Sequence, residues 1–150
     1  MKNVIIRAAR KEDTPQIYNL IYELAVFEKA PNEVTNTVEQ MLIDGYGKEP
    51  CYKVIVAESD NTIIGIALTF IKYSTWKGKG VFLEDLIVTE SMRGKQIGRL
   101  LFDEVIKYAK SINAKQLHWQ VLDWNTSAIE FYKKYNAEIS SEWLNCKLNF

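Results

Sequence analysis

Arg93-Gly94-Lys95-Gln96-Ile97-Gly98 has the residue types and spacing to hold an anion. It follows an apolar run, Val81 to Val88, and opens a helical pattern from Arg99 to Ile112. The first backbone N–H groups of a helix lack internal partners and carry the positive end of its dipole. Glycines beside them let a pyrophosphate approach the backbone, so the expected occupant is a phosphorylated ligand. The stretch is neither a G-x-G-x-x-G dinucleotide fingerprint nor a P-loop. A plain helix-capping turn with a basic first turn is the alternative. The side chain of Gln96 is acceptable there if the backbone keeps an ordinary negative φ.

Two further constellations carry polar chemistry. Leu83-Glu84-Asp85 sets two carboxylates inside an apolar strand. Neighbours on a strand point to opposite faces, so only one acid can serve a given side unless a β-bulge re-aims the other. Acids in such a strand are costly unless solvated or paired. A substrate cation would offset that cost, and so would an Arg or Lys partner in a structural ion pair. Asn125 and Tyr132, seven residues apart, share a face of the short helix that Asn125 or Thr126 caps. Taken alone, Tyr132 could equally be a core aromatic beside Phe131.

These residues need a scaffold. The chain has 150 residues, 47% of them hydrophobic and 25% charged, enough for one compact domain over residues 1–150. Its 19 basic and 19 acidic residues balance, which argues against nucleic-acid binding. A single histidine, His118, argues against a zinc site, and no metal is expected. Cys51 and Cys146 read as buried thiols of a reducing compartment. No apolar run approaches membrane-spanning length, and the cytoplasm is the default location. Val4 to Arg7 reads as a strand. Thr14 then caps a helix whose stripe is Ile17, Leu20, Ile21, Leu24 and Phe27, and Asn36 opens another that Gly45 closes. Tyr52–Glu58 and Thr62–Tyr73 form a hairpin about Asp60-Asn61, followed by the strand Val81–Val88. After the glycine loop comes a helix with Ile97, Leu100, Leu101, Val105 and Tyr108 on one face. A strand Gln116–Leu122, a helix to Tyr135 and a closing strand Glu142–Leu148 complete the order. Hairpins make part of the sheet antiparallel, and the strand–helix–strand unit makes its centre parallel. The expected class is α/β, more strictly α+β: a central mixed β-sheet flanked by helices.

This order and the loop resemble the GNAT N-acetyltransferase superfamily, whose Arg/Gln-x-x-Gly-x-Gly/Ala pattern is met here except at Gln96. The resemblance sharpens to the diamine (spermidine/spermine) N-acetyltransferase branch over nearly the whole chain. It is carried by Ile6 to Ala9, Leu20 to Ala25, Phe27-Glu28, Asp44 to Gly47, Tyr73 to Lys79, Leu83 to Val88, Trp124-Asn125 and Phe131 to Lys134. It implies the GNAT acyl-CoA N-acyltransferase fold, with acetyl transfer from the cosubstrate acetyl-CoA to a primary amine in a ternary complex. It also implies a homodimer. Leu86, Ile87 and Val88 would meet the pantetheine arm. Arg93, Gly94, Lys95, Gln96, Ile97, Gly98 and Arg99 would hold the pyrophosphate, and Asn125 and Ser127 would also contact the cofactor. Tyr132 would protonate the departing thiolate. Glu84 would help deprotonate the amine, whose cation has no lone pair for attack. Phe27, Glu28, Trp76, Glu84, Asp85, Glu142 and Trp143 would line the amine cleft, where carboxylates and Trp faces suit a cation. Polyamine-binding members carry a tyrosine in place of Phe27 and an aspartate in place of Ser74. These departures leave a shorter amine or a lysine-like amino acid open as acceptor. The competing readings are a GNAT acting on a protein or peptide amine, and a non-catalytic acyl-CoA-binding regulatory module.

Overall fold

The computed structural model describes residues 3–150. Backbone contacts divide the chain into two compact units, Met1–Trp119 and Gln120–Phe150. The first unit holds a five-stranded sheet in the order β1-β2-β3-β4-β5. The strands are β1 (Ile5–Ala8), β2 (Lys53–Ser59), β3 (Thr62–Ser74), β4 (Gly78–Val88) and β5 (Leu117–Trp119). The first four pair antiparallel and β5 runs parallel to β4, as the hairpins and the crossover require. Asp60 and Asn61, both at positive φ, make the tight turn between β2 and β3. Two residues with that backbone match the twist of a hairpin.

Helix α1 (Thr14–Phe27) and helix α2 (Val38–Tyr46) bury Ile17, Leu20 and Met41 in a cluster with Val54, Val56, Ile66, Leu68 and Ile87 of the sheet. Helix α3 (Ile97–Ser111) buries Ile97, Leu101, Phe102, Val105 and Ala109. Its Leu101 lies so close to β3 that a Cβ on Gly65 would stand 3.1 Å from the leucine methyl and 3.0 Å from the Ile87 carbonyl oxygen. Leu100, expected on this buried face, is 45% exposed, and Phe102 takes its place. Among the described residues no helix is long and apolar enough to cross a membrane.

Several boundaries differ from expectation for local reasons. Thr37, not Asn36, caps α2 by accepting the Gln40 N–H at 3.1 Å. Asp13 occupies the cap position of α1, while the Thr14 hydroxyl donates to the Lys11 carbonyl. Gly45 lies inside α2 and does not end it. The Tyr52 ring stands 2.5 Å from where a Cβ on Gly45 would be, so the glycine makes room for that ring. The Tyr52 hydroxyl donates to the Met41 carbonyl at 2.6 Å. Both cysteines are exposed, contrary to the buried thiols expected.

The second unit contains helix α4 (Thr126–Lys133). The closing strand expected over Glu142–Leu148 is absent, and residues 137–150 carry no helix or strand. Leu144, Cys146 and Leu148 have the alternation of a strand. A strand also needs a neighbour to take its backbone hydrogen bonds, and alternation does not supply one. Leu144 and Leu148 are accordingly more than 80% exposed.

Candidate active site

The decisive irregularity lies in β4. Leu83 pairs with Thr69, and Asp85 pairs with Leu68, so Glu84 is the extra residue of a β-bulge. In a regular strand Leu83 and Asp85 would share a face. Residues directly opposite on antiparallel strands point the same way, so the bulge turns Asp85 and Ile87 to the side of Leu68 and Ile66, under α1 and α2. Both Glu84 and Asp85 consequently line one cavity of about 380 Å³. Its other walls include Tyr18 and Ile21 of α1, Met41 and Asp44 of α2, Asn36, Cys51, Tyr52 and Leu68. Among the described residues no lysine or arginine lines it. Asp85 is half-buried, and its carboxyl is pushed up from an ordinary 3.8 to about 7, first by burial and then by the charges of Glu84 and Glu28. Glu84 is exposed. Glu28, at the C-terminal cap of α1, is itself raised by burial. The structure therefore brings Glu28, Glu84 and Asp85 into one electrostatic group.

β5 pairs with β4 only at Val81–Leu83. Leu86, Ile87 and Val88 pair with β3 on one side, opposite Ala67, Ile66 and Gly65. Among the described residues, their other edge has no paired strand. A bare strand edge offers N–H and C=O groups to an extended ligand.

The chain then passes through a 3-10 turn, Glu90–Met92, into the glycine loop. Gly94 has φ +76, and nothing stands within 4 Å of where its Cβ would be. Gly98 would meet only a Val88 methyl, at 3.8 Å. The first i−4 bond of α3 runs from Leu100 N–H to Gln96 C=O at 3.1 Å, so the amides of Ile97, Gly98 and Arg99 precede the helix ladder. Gln96 does not keep a negative φ. It caps α3 at φ +62, in the left-handed region. That is the region for which a glycine in the family pattern would be suited, and a side chain there is strained by about 1 kcal/mol. The Ile97 side chain is core, leaving its backbone for a ligand.

The basic side chains of the loop are committed within the protein. Arg93 Nε donates to the Val88 carbonyl at 2.9 Å, and its guanidinium lies 5.1 Å above the Phe27 ring and 3.8 Å from the Glu23 carboxylate. Lys95 Nζ contacts the Ser91 carbonyl at 3.3 Å, and Arg99 sits 3.6 Å from Asp103. Phe27, expected in the amine cleft, has the Arg93 guanidinium over its ring.

In the second unit, the Asn125 side chain accepts the Ala128 N–H at 3.2 Å and caps α4. Ser127 is exposed in the first turn. Tyr132 is buried, packs edge-on against Phe131, and its hydroxyl is pushed up to about 12 by burial. Glu142 and Trp143 are exposed in the segment without regular structure. Trp76, at the turn between β3 and β4, is 90% exposed. Ser74 accepts the Trp76 and Lys77 amides at 3.2 and 3.1 Å, so the hydroxyl shapes the turn where an aspartate would supply charge.

Residues 14–137 match the Acetyltransferase (GNAT) family. The chain belongs to that family. A thialysine N-epsilon-acetyltransferase of Bos taurus is 36% identical over 150 residues, covering 95% of this chain and 88% of the relative. A spermidine/spermine N(1)-acetyltransferase-like protein 1 of Homo sapiens is 32% identical over 91% of this chain, which spans 21% of that longer protein. An aminoglycoside N-acetyltransferase solved with CoA has TM-score 0.79 at 17% identity, covering 100% of this chain and 97% of its own, and shares the fold. The protein is a GNAT N-acetyltransferase, and the mixed sheet flanked by helices is the fold expected from the sequence.

Sequence reasoning passed over Tyr18, Asn36, Asp44, Cys51 and Tyr52 as cavity walls of this acetyltransferase. Tyr52 left a usable trace, because Gly45 in the interior of a helix implies a bulky neighbour. Glu23 left none. It shows no perturbation of spacing, yet it accepts the Glu90 N–H at 2.9 Å.

Proposed function

We propose that the protein moves the acetyl group of acetyl-CoA to a primary amine of a small cationic molecule. The acceptor is a diamine, a polyamine or a lysine-like amino acid such as thialysine, and the amine attacks directly in a ternary complex. The observation that carries this reading is the acidic cavity at the β4 bulge, where Glu84 and Asp85 meet and, among the described residues, no basic side chain joins the walls. Such a cavity attracts and orients an ammonium group. The names of the bovine and human relatives, thialysine and spermidine/spermine acetyltransferases, support the same substrate class.

Asp85 and Glu84 prepare the nucleophile. An amine near pKa ~10 is almost wholly protonated at neutral pH. A carboxylate at about 7 is a far better proton acceptor than one at 3.8, and it matches the operating pH. Asp85 therefore holds the ammonium and draws its proton, and exposed Glu84 relays it to water. The expectation from sequence named Glu84 as assisting this deprotonation, and we add Asp85 beside it. The open glycine loop and the free amides of α3 fit the pyrophosphate of acetyl-CoA, and the bare edge of Leu86–Val88 fits an extended arm. When bound, acetyl-CoA supplies the activated acetyl group. Tyr132, kept protonated at neutral pH by burial, is our proposed proton donor to the leaving sulfur, and Asn125 and Ser127 of the same helix are our proposed cofactor contacts. The protein acts as a cytoplasmic homodimer. A second copy would cover Trp76 and Trp143, both almost fully exposed in one chain, and sedimentation reads that state.

The test is thiol release from acetyl-CoA against putrescine, spermidine, spermine, lysine, thialysine and a lysine peptide. Release with a small amine is expected. Release with the peptide alone would replace the acceptor class, and no release with any of them would defeat the reading.

A further inference from the structure

Arg93 stands first in the motif that suggested a pyrophosphate site, yet its guanidinium is turned to helix α1. Glu23 and Phe27 are one helical turn apart on that helix and face the same way. The Arg93 guanidinium carbon lies 5.1 Å from the centre of the Phe27 ring, and Glu23 lies 3.8 Å from the Arg93 Nη2. The same Glu23 carboxylate accepts the backbone N–H of Glu90 at 2.9 Å. Arg93 Nε closes the loop onto the Val88 carbonyl at 2.9 Å. The segment between β4 and α3 is thereby held at its start, Val88, at its middle, Glu90, and at the entrance to the glycine loop, Arg93. Helix α1 also lines the cavity through Tyr18 and Ile21.

We propose that Glu23 is a positioning residue for acetyl-CoA: it straps the segment Val88–Arg93 to helix α1 and so fixes the amides that the glycine loop presents. The proposal rests on the reading of that loop as the pyrophosphate site. Glu23 touches no reacting atom. Its effect is to keep the loop from sampling shapes in which its amides diverge, and a loop ordered before the ligand arrives loses less entropy on binding. The strap also gives acetyl-CoA and the acceptor a shared wall, because one helix grips the loop and lines the amine cavity.

The experiment measures CoA affinity by calorimetry, with kcat and KM for acetyl-CoA, in the wild type, Glu23→Ala, Glu23→Gln, Arg93→Ala and the Glu23→Ala/Arg93→Ala double variant. Losing a charge-assisted hydrogen bond at a half-exposed site should weaken CoA about tenfold in Glu23→Ala and raise KM for acetyl-CoA alike, with kcat within about twofold. Glu23→Gln should recover most of the affinity, since its amide oxygen can still take the Glu90 N–H. The double variant should be no worse than the weaker single one, because both residues act through one strap. Unchanged affinity in Glu23→Ala, a loss confined to kcat, or single losses that multiply in the double variant would each overturn the proposal. A wild type that takes up no CoA would remove the reading of the loop itself, and this proposal with it.

Discussion

Replacing Asp85 by Asn should make the protein more stable and less active, and the gain in stability should depend on pH. The wild-type carboxyl sits at about 7, against an ordinary 3.8. The folded state thus holds this proton about a thousandfold more tightly than the unfolded chain does. Linkage converts that into on the order of 4 kcal/mol against folding once the group is ionised. The sign follows from the direction. Below about pH 4 both states are protonated and the penalty vanishes. It grows as the pH rises and is complete above about 7. Solvent reaching the open cavity screens part of it, leaving about 2–3 kcal/mol at pH 8. An asparagine fills nearly the same space with no charge. For a chain of this size, thermal melts at pH 8 should show Asp85→Asn about 5–10 °C above the wild type. At about pH 4 the two should nearly coincide. Activity moves the other way: kcat/KM should fall on the order of 100-fold, and the wild-type rise through about pH 7 should disappear. An equal difference in melting temperature at both pH values would refute the reasoning. It would mean that the Asp85 carboxyl binds its proton equally well in the folded and unfolded chain, and that the cavity imposes no penalty on its charge.

Tyr132→Phe should cut kcat by about 10–100-fold while CoA affinity stays within about twofold, read by thiol release and calorimetry. Full-rate turnover would remove the tyrosine from the reaction. Gln96→Gly should relieve the left-handed backbone of the helix cap and raise the melting temperature by about 2 °C. The strain relieved, about 1–2 kcal/mol, is partly offset by the greater freedom of glycine in the unfolded chain. A lower melting temperature would show that the Gln96 side chain makes contacts worth more than the strain.

The helices, the hairpin and the mixed sheet were legible because each depends on a local period or turn. Asp60-Asn61 and the stripe of Ile17 and Leu20 announced themselves in this way. Leu100 was misplaced within its helix because Leu100 and Phe102 lie two positions apart, and composition does not say which of them the sheet receives. The strand expected at Glu142–Leu148 failed because pairing is a property of two segments. Gln96 was misjudged because the turn, not the residue type, sets its φ. In the site, the acids at 84 and 85 were visible, and a bulge was recognised as the one way to re-aim them. Which acid would be perturbed was not visible. That depends on Leu68 opposite and on Glu28, distant in sequence. Arg93 was read by its place in a motif, whereas its partners Glu23 and Phe27 come from a different helix.

The bulge at Glu84 also governs how this strand tolerates changes in length. Deleting Glu84 would remove one carboxylate and the irregularity with it. Leu83 and Asp85 would become direct neighbours in an unbroken two-residue rhythm, so Asp85 and Ile87 would keep the side of Leu68 and Ile66. The damaging change is to flatten the bulge at constant length. Leu83 and Asp85 would then share a face, and Asp85 and Ile87 would leave the cavity side while Leu86 and Val88 took their place. Any substitution at 84 that keeps the bulge therefore keeps the aim of Asp85, and the irregularity is a stricter condition on the site than the identity of the residue that forms it.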